Sequence, residues 1–141
     1  MSSKGLLIGI DRDEDALEAA RRKLSNYKNV KYIHGNHDEI DKILLDIGID
    51  KVDGILLDLG VSFYQLDEKE RGFSYLGNAT LDMRMDKSQD ITAEDIVNDY
   101  TEEKLAYIIY KYGEEKFSRS IAKNICIYRK EKRIETTDEL V

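Results

Sequence analysis

The alternation of short apolar runs with amphipathic helical segments over residues 5–58 confines this chain to a narrow set of folds. Gly5-Leu6-Leu7-Ile8-Gly9-Ile10 is continuous and apolar, the signature of a buried strand. Asp11-Arg12-Asp13 follows, and Asp13 is placed to cap a helix carrying Ala16, Leu17, Ala20 and Leu24 at helical spacing. Val30-Lys31-Tyr32-Ile33 reads as a second strand. Residues 38–47 read as a second helix with Ile40, Ile43, Leu44 and Ile47 on one face and Gly48 at its C′ position. Val52 to Leu57 reads as a third strand, ending in Asp58-Leu59-Gly60. Strand–helix–strand–helix–strand at this spacing implies right-handed crossovers and a parallel sheet, the α/β class.

The rest of the chain has a different grammar. Residues 60–90 hold Gly60, Gly72, Gly77 and Asn78 and little periodicity, so a long connection is expected, of the kind that is usually functional or mobile. From Thr92 onward the pattern is helical, with Thr92 and Thr101 as N-caps followed by acidic first turns. Leu105, Ile108, Ile109 and Tyr112 form one stripe, closed by Gly113. Phe117, Ile121, Ile125 and Tyr128 form the next, and Thr137 is placed to cap a last helix four residues before the end. That abrupt stop leads to the expectation of a truncated chain.

Composition excludes several classes. The 141 residues are the size of one domain and bury about two-thirds of their unfolded surface. Twenty-two basic against 29 acidic residues leave a formal charge of −7, so no global basic field is available for nucleic acid. One cysteine, Cys126, excludes an intramolecular disulfide, and with only two histidines and no HExxH no metal site is expected. The apolar runs are too short for a bilayer span or a signal-peptide core, so a soluble cytoplasmic protein is expected.

In a doubly wound sheet ligands bind outside the carboxyl ends of the strands. Asp11 and Asp58 would each lie just past such an end, facing one crevice. An acid there accepts hydrogen bonds from ribose hydroxyls of a nucleotide-like cofactor. Capping or plain solvation is the alternative for Asp11, with Asp13 and Asp15 adjacent. Asp58, followed by Leu59 and Gly60, is placed to accept a hydrogen bond from an exocyclic amine on a flat substrate and raise its nucleophilicity. Ordering nearby backbone N–H groups is its alternative role. The glycine-rich turn that accompanies an acid like Asp11 lies about 20 residues upstream of it. Only ten residues precede Asp11, so the expectation is a chain that starts in the middle of the fold.

The runs Leu57-Asp58-Leu59-Gly60-Val61-Ser62, Gln65-Leu66-Asp67, Glu70-Arg71-Gly72-Phe73-Ser74-Tyr75 and Leu81-Asp82-Met83-Arg84-Met85-Asp86 resemble the bacterial small-subunit ribosomal RNA N4-cytosine methyltransferases of the MraW type. Tyr112-Gly113-Glu114-Glu115-Lys116-Phe117-Ser118-Arg119 and Ile134-Glu135-Thr136-Thr137 continue the resemblance in order. It covers nearly all of this chain and about half of a family member. It implies a partial class I (Rossmann-like), S-adenosyl-L-methionine-dependent methyltransferase sheet over residues 1–90, and an inserted helical domain, truncated, over residues 91–141. The implied reaction is methylation of cytosine N4 in 16S ribosomal RNA, the implied partner. By the same resemblance Asp11 would hold the cofactor ribose, and Asp58 and Gln65 match further cofactor-contacting positions. His37 stands where the family commonly has Phe beside the adenine, and a neutral imidazole can stack or hydrogen-bond there. Phe63-Tyr64 replaces the family's usual Ser-Pro before Gln65, and the family's glycine-rich, His-containing first motif is absent.

Outside those positions, Arg84 is suited either to a phosphate or to a salt bridge with Asp82 or Asp86. Phe73 is suited either to base stacking or to anchoring its loop. Residues 111–133 carry eight basic against three acidic residues, a local excess of five, with Lys116, Arg119 and Lys123 on one helix face. A phosphate-contacting strip and a solvated helix face both fit. Two further readings are a truncated, catalytically inactive remnant serving as a self-associating module and another nucleotide-binding α/β domain. An exposed first strand leads to the expectation of a homodimer or larger assembly.

Overall fold

A computed structural model describes residues 5–141, and the first four residues of the expected 1–90 domain lie outside the described ones. The chain divides into two compact units. The first runs through Asp58 and includes Met85–Lys87, and the second comprises Leu59–Arg84 and Ser88–Val141.

The first unit is built on one parallel strand–helix–strand crossover. Strand β1 (Leu7–Asp11) pairs in parallel with β2 (Val30–His34), in a register that sets Leu7 opposite Val30 and Asp11 opposite His34. Between them α1 (Glu14–Lys23) starts at Asp13, whose carboxylate accepts from the Asp15 N–H at 3.0 Å. Leu17 is its buried contact, with Ala16, Ala20 and Leu24 half-buried beside it. A 3₁₀ turn (His37–Glu39) leads into α2 (Ile40–Asp46), and Gly48 follows with a positive φ of 75°, a conformation an L side chain resists.

The expected third strand does not form. Residues 51–57 carry no ladder, every one of them is exposed, and among the described residues the sheet has two strands in the order β1-β2. A parallel strand exists only by its hydrogen bonds to a neighbour, and this segment has none here, however apolar its side chains. The partial α/β expectation therefore holds in a coarser form, a small parallel sheet with flanking helices.

The second unit opens with α3 (Phe63–Asp67) and a 3₁₀ turn (Lys69–Arg71) inside the long connection, followed by α4 (Ala93–Asp99), α5 (Glu102–Gly113), α6 (Ser118–Tyr128) and α7 (Thr137–Leu140). Thr92 and Thr101 cap α4 and α5 as their sequence pattern requires, Thr92 through a reciprocal box with Asp95. Three local expectations are corrected. Helix α5 runs through Gly113 and ends at Glu114, which itself takes the left-handed conformation with φ 53°. Helix α7 is capped by Thr136 in a box with Glu139, while Thr137 is buried, its hydroxyl accepting from the Ala79 N–H and donating to the Gly77 carbonyl, each at 3.1 Å. The inner face of α6 is Ser118 and Ala122 with half-buried Ile125, whereas Phe117, Ile121 and Tyr128 are exposed. Small side chains let α6 pack closely on α5.

The core of this unit is Leu81, Val97 and Ile134, with Ala93 and Ile125 packed against it. Asn98 ties it together. Its amide donates to the Ile134 carbonyl at 2.8 Å and accepts from the Ile134 N–H at 2.9 Å, so a side chain on α4 acts as a strand partner for the backbone 36 residues on. A single antiparallel bridge, Thr80 to Thr136, continues that pairing. Among the described residues no helix is long and apolar enough to cross a membrane.

Candidate functional site

In the first unit the residues singled out from the sequence gather at the carboxyl end of the two strands. Asp11 closes β1 and is exposed. Its Oδ1 accepts from the Asp13 N–H at 2.9 Å, and its backbone carbonyl accepts from the Gly35 N–H at 3.0 Å. Capping belongs to the buried Asp13, not to Asp11. Asp11 shapes the strand-to-helix turn with one oxygen, and its other carboxylate oxygen takes no donor among the described residues. Opposite it His34 ends β2, with Nε2 2.9 Å from the Arg12 carbonyl oxygen and 3.5 Å from Asp86. Three residues on, His37 is exposed at the head of the 3₁₀ turn. The parallel register thus carries Asp11 and the His37 turn to the same edge. Met85–Lys87 is fastened to this unit by the Asp86–His34 contact and by a 2.8 Å ion pair from Lys87 to Asp15.

Asp58 has a different setting. It is exposed at the end of the unladdered 51–57 segment, so no strand sets its direction. An acceptor with one open oxygen on Asp11 and an aromatic imidazole at His37 suit a nucleoside with ribose hydroxyls and a flat base.

In the second unit Gln65 is buried and its carbonyl is committed: Oε1 accepts from the Ser62 N–H at 3.0 Å while the Ser62 hydroxyl accepts from the Gln65 N–H at 3.1 Å. The reciprocal box explains why Ser-x-x-Gln opens α3. Arg84 takes the salt-bridge role, with Nε and Nη2 each 2.8 Å from an oxygen of Asp82, and those hydrogen bonds hold the Asp82 carboxyl below its usual range. Arg71 is a buried structural arginine that sequence reasoning passed over. Its Nη2 donates to the Arg84 carbonyl at 3.0 Å and its guanidinium stands 5.8 Å from the centre of the half-buried Phe73 ring. The adjacent Gly72 was the available signal. Its φ is 68° and a Cβ there would meet the Thr80 carbonyl oxygen at 2.4 Å, so the loop closes tightly on itself at that point.

The basic run of residues 111–133 separates into two groups. Arg129 donates to the Val97 and Tyr100 carbonyls at the end of α4, each at 2.6 Å. Arg133 pairs with Glu94 at 2.7 Å and with Asp95 and Asp99 at 3.3 Å. Lys132 pairs with Glu139, drawing that carboxyl down to about 2. These three hold the fold. Among the described residues Lys116, Arg119 and Lys123 make no ion pair, and all three are exposed.

Comparison with known proteins places this arrangement. The model of the MraW methylase family matches residues 1–141. A Clostridium botulinum (strain Kyoto / Type A2) protein named ribosomal RNA small subunit methyltransferase H is 56% identical over 141 residues, covering 100% of this chain and 46% of the relative. A Caldicellulosiruptor bescii protein of the same name is 55% identical over 140 residues, 99% of this chain and 46% of that relative. The chain spans about half the length of the curated relatives it matches. A parallel crossover with an acid at the end of its first strand, and a family match that runs from one end of the chain to the other, lead to one conclusion: this chain belongs to the MraW methylase family.

Proposed function

We propose that the protein containing this chain is an S-adenosyl-L-methionine-dependent methyltransferase of the cytoplasm that methylates cytosine N4 in 16S ribosomal RNA. Residues 1–90 serve it as part of the cofactor-binding domain and 91–141 as part of an inserted helical domain. The observation that carries the reading is the family match over the whole chain, joined to Asp11 at the carboxyl end of a parallel strand with an open carboxylate oxygen.

The cofactor supplies a sulfonium-bound methyl group, an electrophile that needs no further activation. Everything else falls to the protein. Within the first unit Asp11 would take the ribose hydroxyls, His37 would contact the adenine and Asp58 would be a further cofactor contact, while Gln65 matches a cofactor-contacting position by the resemblance alone. Asp58 has a second role, accepting a hydrogen bond from the exocyclic amine of cytosine. That raises the nitrogen's nucleophilicity and gives its proton somewhere to go.

The test uses a protein of the relatives' full length carrying these residues. Asp11→Ala removes a charged acceptor whose hydrogen bonds are worth about 1.5–3 kcal/mol each, so the cofactor dissociation constant rises at least about tenfold by calorimetry. Asp58→Asn lowers the rate of N4-methylcytosine formation, read by mass spectrometry of digested RNA. Absence of that product from the unaltered protein overturns the reading. A second reading, self-association, is favoured by the exposed Ile55, Leu56 and Leu57 of the unpaired segment. It expects the 141-residue chain to sediment as a dimer or larger species.

A further inference from the structure

In the first unit a single peptide plane is held from both of its sides. The Arg12–Asp13 peptide is trans, so its carbonyl and its N–H point in opposite directions within one plane. The N–H donates to Asp11 Oδ1 at 2.9 Å, and the carbonyl oxygen lies 2.9 Å from His34 Nε2. A carbonyl can only accept, so Nε2 carries the hydrogen in this contact and His34 is the donor. The two residues meet because β1 and β2 run parallel with Asp11 opposite His34, and Gly35 then gives its N–H to the Asp11 carbonyl at 3.0 Å. Capping of α1 does not need the imidazole, since Asp13 caps with its own carboxylate. The same turn is gripped by Met85–Lys87. Asp86 Oδ2 stands 3.5 Å from His34 Nε2, which favours the tautomer with its hydrogen there, and Lys87 pairs at 2.8 Å with Asp15 on the first turn of α1.

We propose that His34 is a positioning residue for the Asp11 carboxylate. Its Nε2–H fixes the rotation of the Arg12–Asp13 peptide plane, the plane aims the Asp13 N–H, and that N–H holds Oδ1 of Asp11. The second carboxylate oxygen is thereby set in one place before any ribose arrives. Without the donor on His34, the plane turns about ψ of Arg12 and φ of Asp13, the N–H swings away from Oδ1, and the exposed carboxylate samples other rotamers. Ordering it again on binding then costs entropy that the clamped form has already lost in folding. His34 makes no ligand contact in this scheme; its whole effect passes through one peptide bond to Asp11. The inference rests on the reading of Asp11 as the ribose acceptor and adds what holds that acceptor in place.

The test uses a protein of the relatives' full length carrying these residues, with two readouts: calorimetry with S-adenosyl-L-methionine, and exchange of the Asp13 amide by NMR without it. His34→Phe keeps a flat ring but no donor, and raises the Kd about threefold, the size of one exposed hydrogen bond. It also speeds Asp13 amide exchange by about fivefold or more in the cofactor-free protein. His34→Gln, whose side-chain amide can donate to the same carbonyl, brings both readouts back to within about 1.5-fold of the unaltered protein. In an Asp11→Ala background His34→Phe changes the Kd by less than about 1.5-fold, because a residue acting only through Asp11 has nothing left to act on. Asp86→Asn leaves the imidazole donor in place and also changes the Kd by less than about 1.5-fold. Equal losses from His34→Phe with and without Asp11, no rescue by His34→Gln, or Asp13 exchange unmoved by His34→Phe each overturn the proposal. So does an Asp86→Asn loss as large as that of His34→Phe, which would assign the effect to the ion pair instead of the peptide plane. Circular dichroism of each variant confirms the helices are retained. The cofactor reading of Asp11 fails on a different result, an Asp11→Ala protein that binds S-adenosyl-L-methionine unchanged. Asp13 exchange is measured without cofactor, so the two failures are distinct.

Discussion

The two units of this chain differ most in what they bury. Among the described residues of the first unit only Asp13 and Leu17 are fully buried, and β1 and β2 keep half-exposed side chains along their length. The second unit closes a core around Leu81, Val97 and Ile134, adds Leu105 and Ala122 between α5 and α6, and buries Gln65, Arg71, Ser118 and Thr137 with hydrogen-bond partners. The unit holding Asp11, His37 and Asp58 is therefore the less self-sufficient of the two. A two-stranded parallel sheet has little to rest on, because parallel strands are stable when both faces are covered. The helical unit draws its order from local sources: caps, a short hairpin and one compact apolar cluster.

The sharpest way to break this comparison is at the core of the second unit. Ile134, 2% exposed, contacts that cluster, and Ile134→Ala is expected to cost about 2–5 kcal/mol in chemical denaturation. Leu56→Ala, at a side chain 94% exposed, is expected to change stability by no more than about 0.5 kcal/mol. Equal costs at the two sites would mean the uncovered segment is packed in solution. Hydrogen exchange read by mass spectrometry sharpens the same point: peptides from residues 5–58 exchange before those containing Leu81, Val97 and Ile134.

Next in size is Gly72→Ala. The new Cβ collides with the Thr80 carbonyl at a residue with positive φ, so the loop must shift. A cost of about 2–4 kcal/mol is expected from the overpacking and the backbone strain together. Circular dichroism melting checks it, and a cost below about 1 kcal/mol would show that residues 72–82 are held less tightly than their hydrogen bonds indicate.

Smallest is the response to acid. Arg84 holds Asp82 below its usual range, Thr92 does the same for Asp95, and Lys132 draws Glu139 to about 2; all three lie in the second unit. A depressed carboxyl stabilises the fold above its unfolded value, near 4.5 for Glu139, and that contribution is lost as the pH falls toward 2. Exposed pairs contribute little, so a modest drop in the denaturation midpoint of the second unit between pH 5 and pH 3 is expected. A midpoint that rises over that range would contradict the pairing.

How far the sequence spoke for itself follows the same division between local and distant causes. Asp13 as cap, Gly48 past α2, and Thr92 and Thr101 as N-caps were all legible, because each acts within four residues of itself. The extended 52–57 segment was not, since its apolar pattern is that of a strand and only a neighbouring strand makes it one. Asp11 was found from its place after β1. The open oxygen on it depends on the Asp13 N–H reaching only one of its carboxylate oxygens, a detail of the folded turn. The commitment of Gln65 to Ser62 and of Arg71 to Arg84 was hidden for another reason. A polar side chain looks the same in sequence whether it faces a ligand or a backbone carbonyl. The split between Arg129 and Arg133 on one side and Lys116 and Arg119 on the other required the position of α4, some thirty residues earlier.

The Asn98–Ile134 pairing and the Thr80–Thr136 bridge also set a timetable. During synthesis Ala79 and Leu81 leave the ribosome more than fifty residues ahead of the segment that pairs with them. At about 5–20 residues per second that is a delay of roughly 3–11 seconds. Throughout it Leu81, joined by Val97 once that residue emerges, has no Ile134 to close over it, and α6 is itself complete only six residues before Ile134. A stalled or prematurely ended copy would present this apolar cluster open to chaperones and proteases.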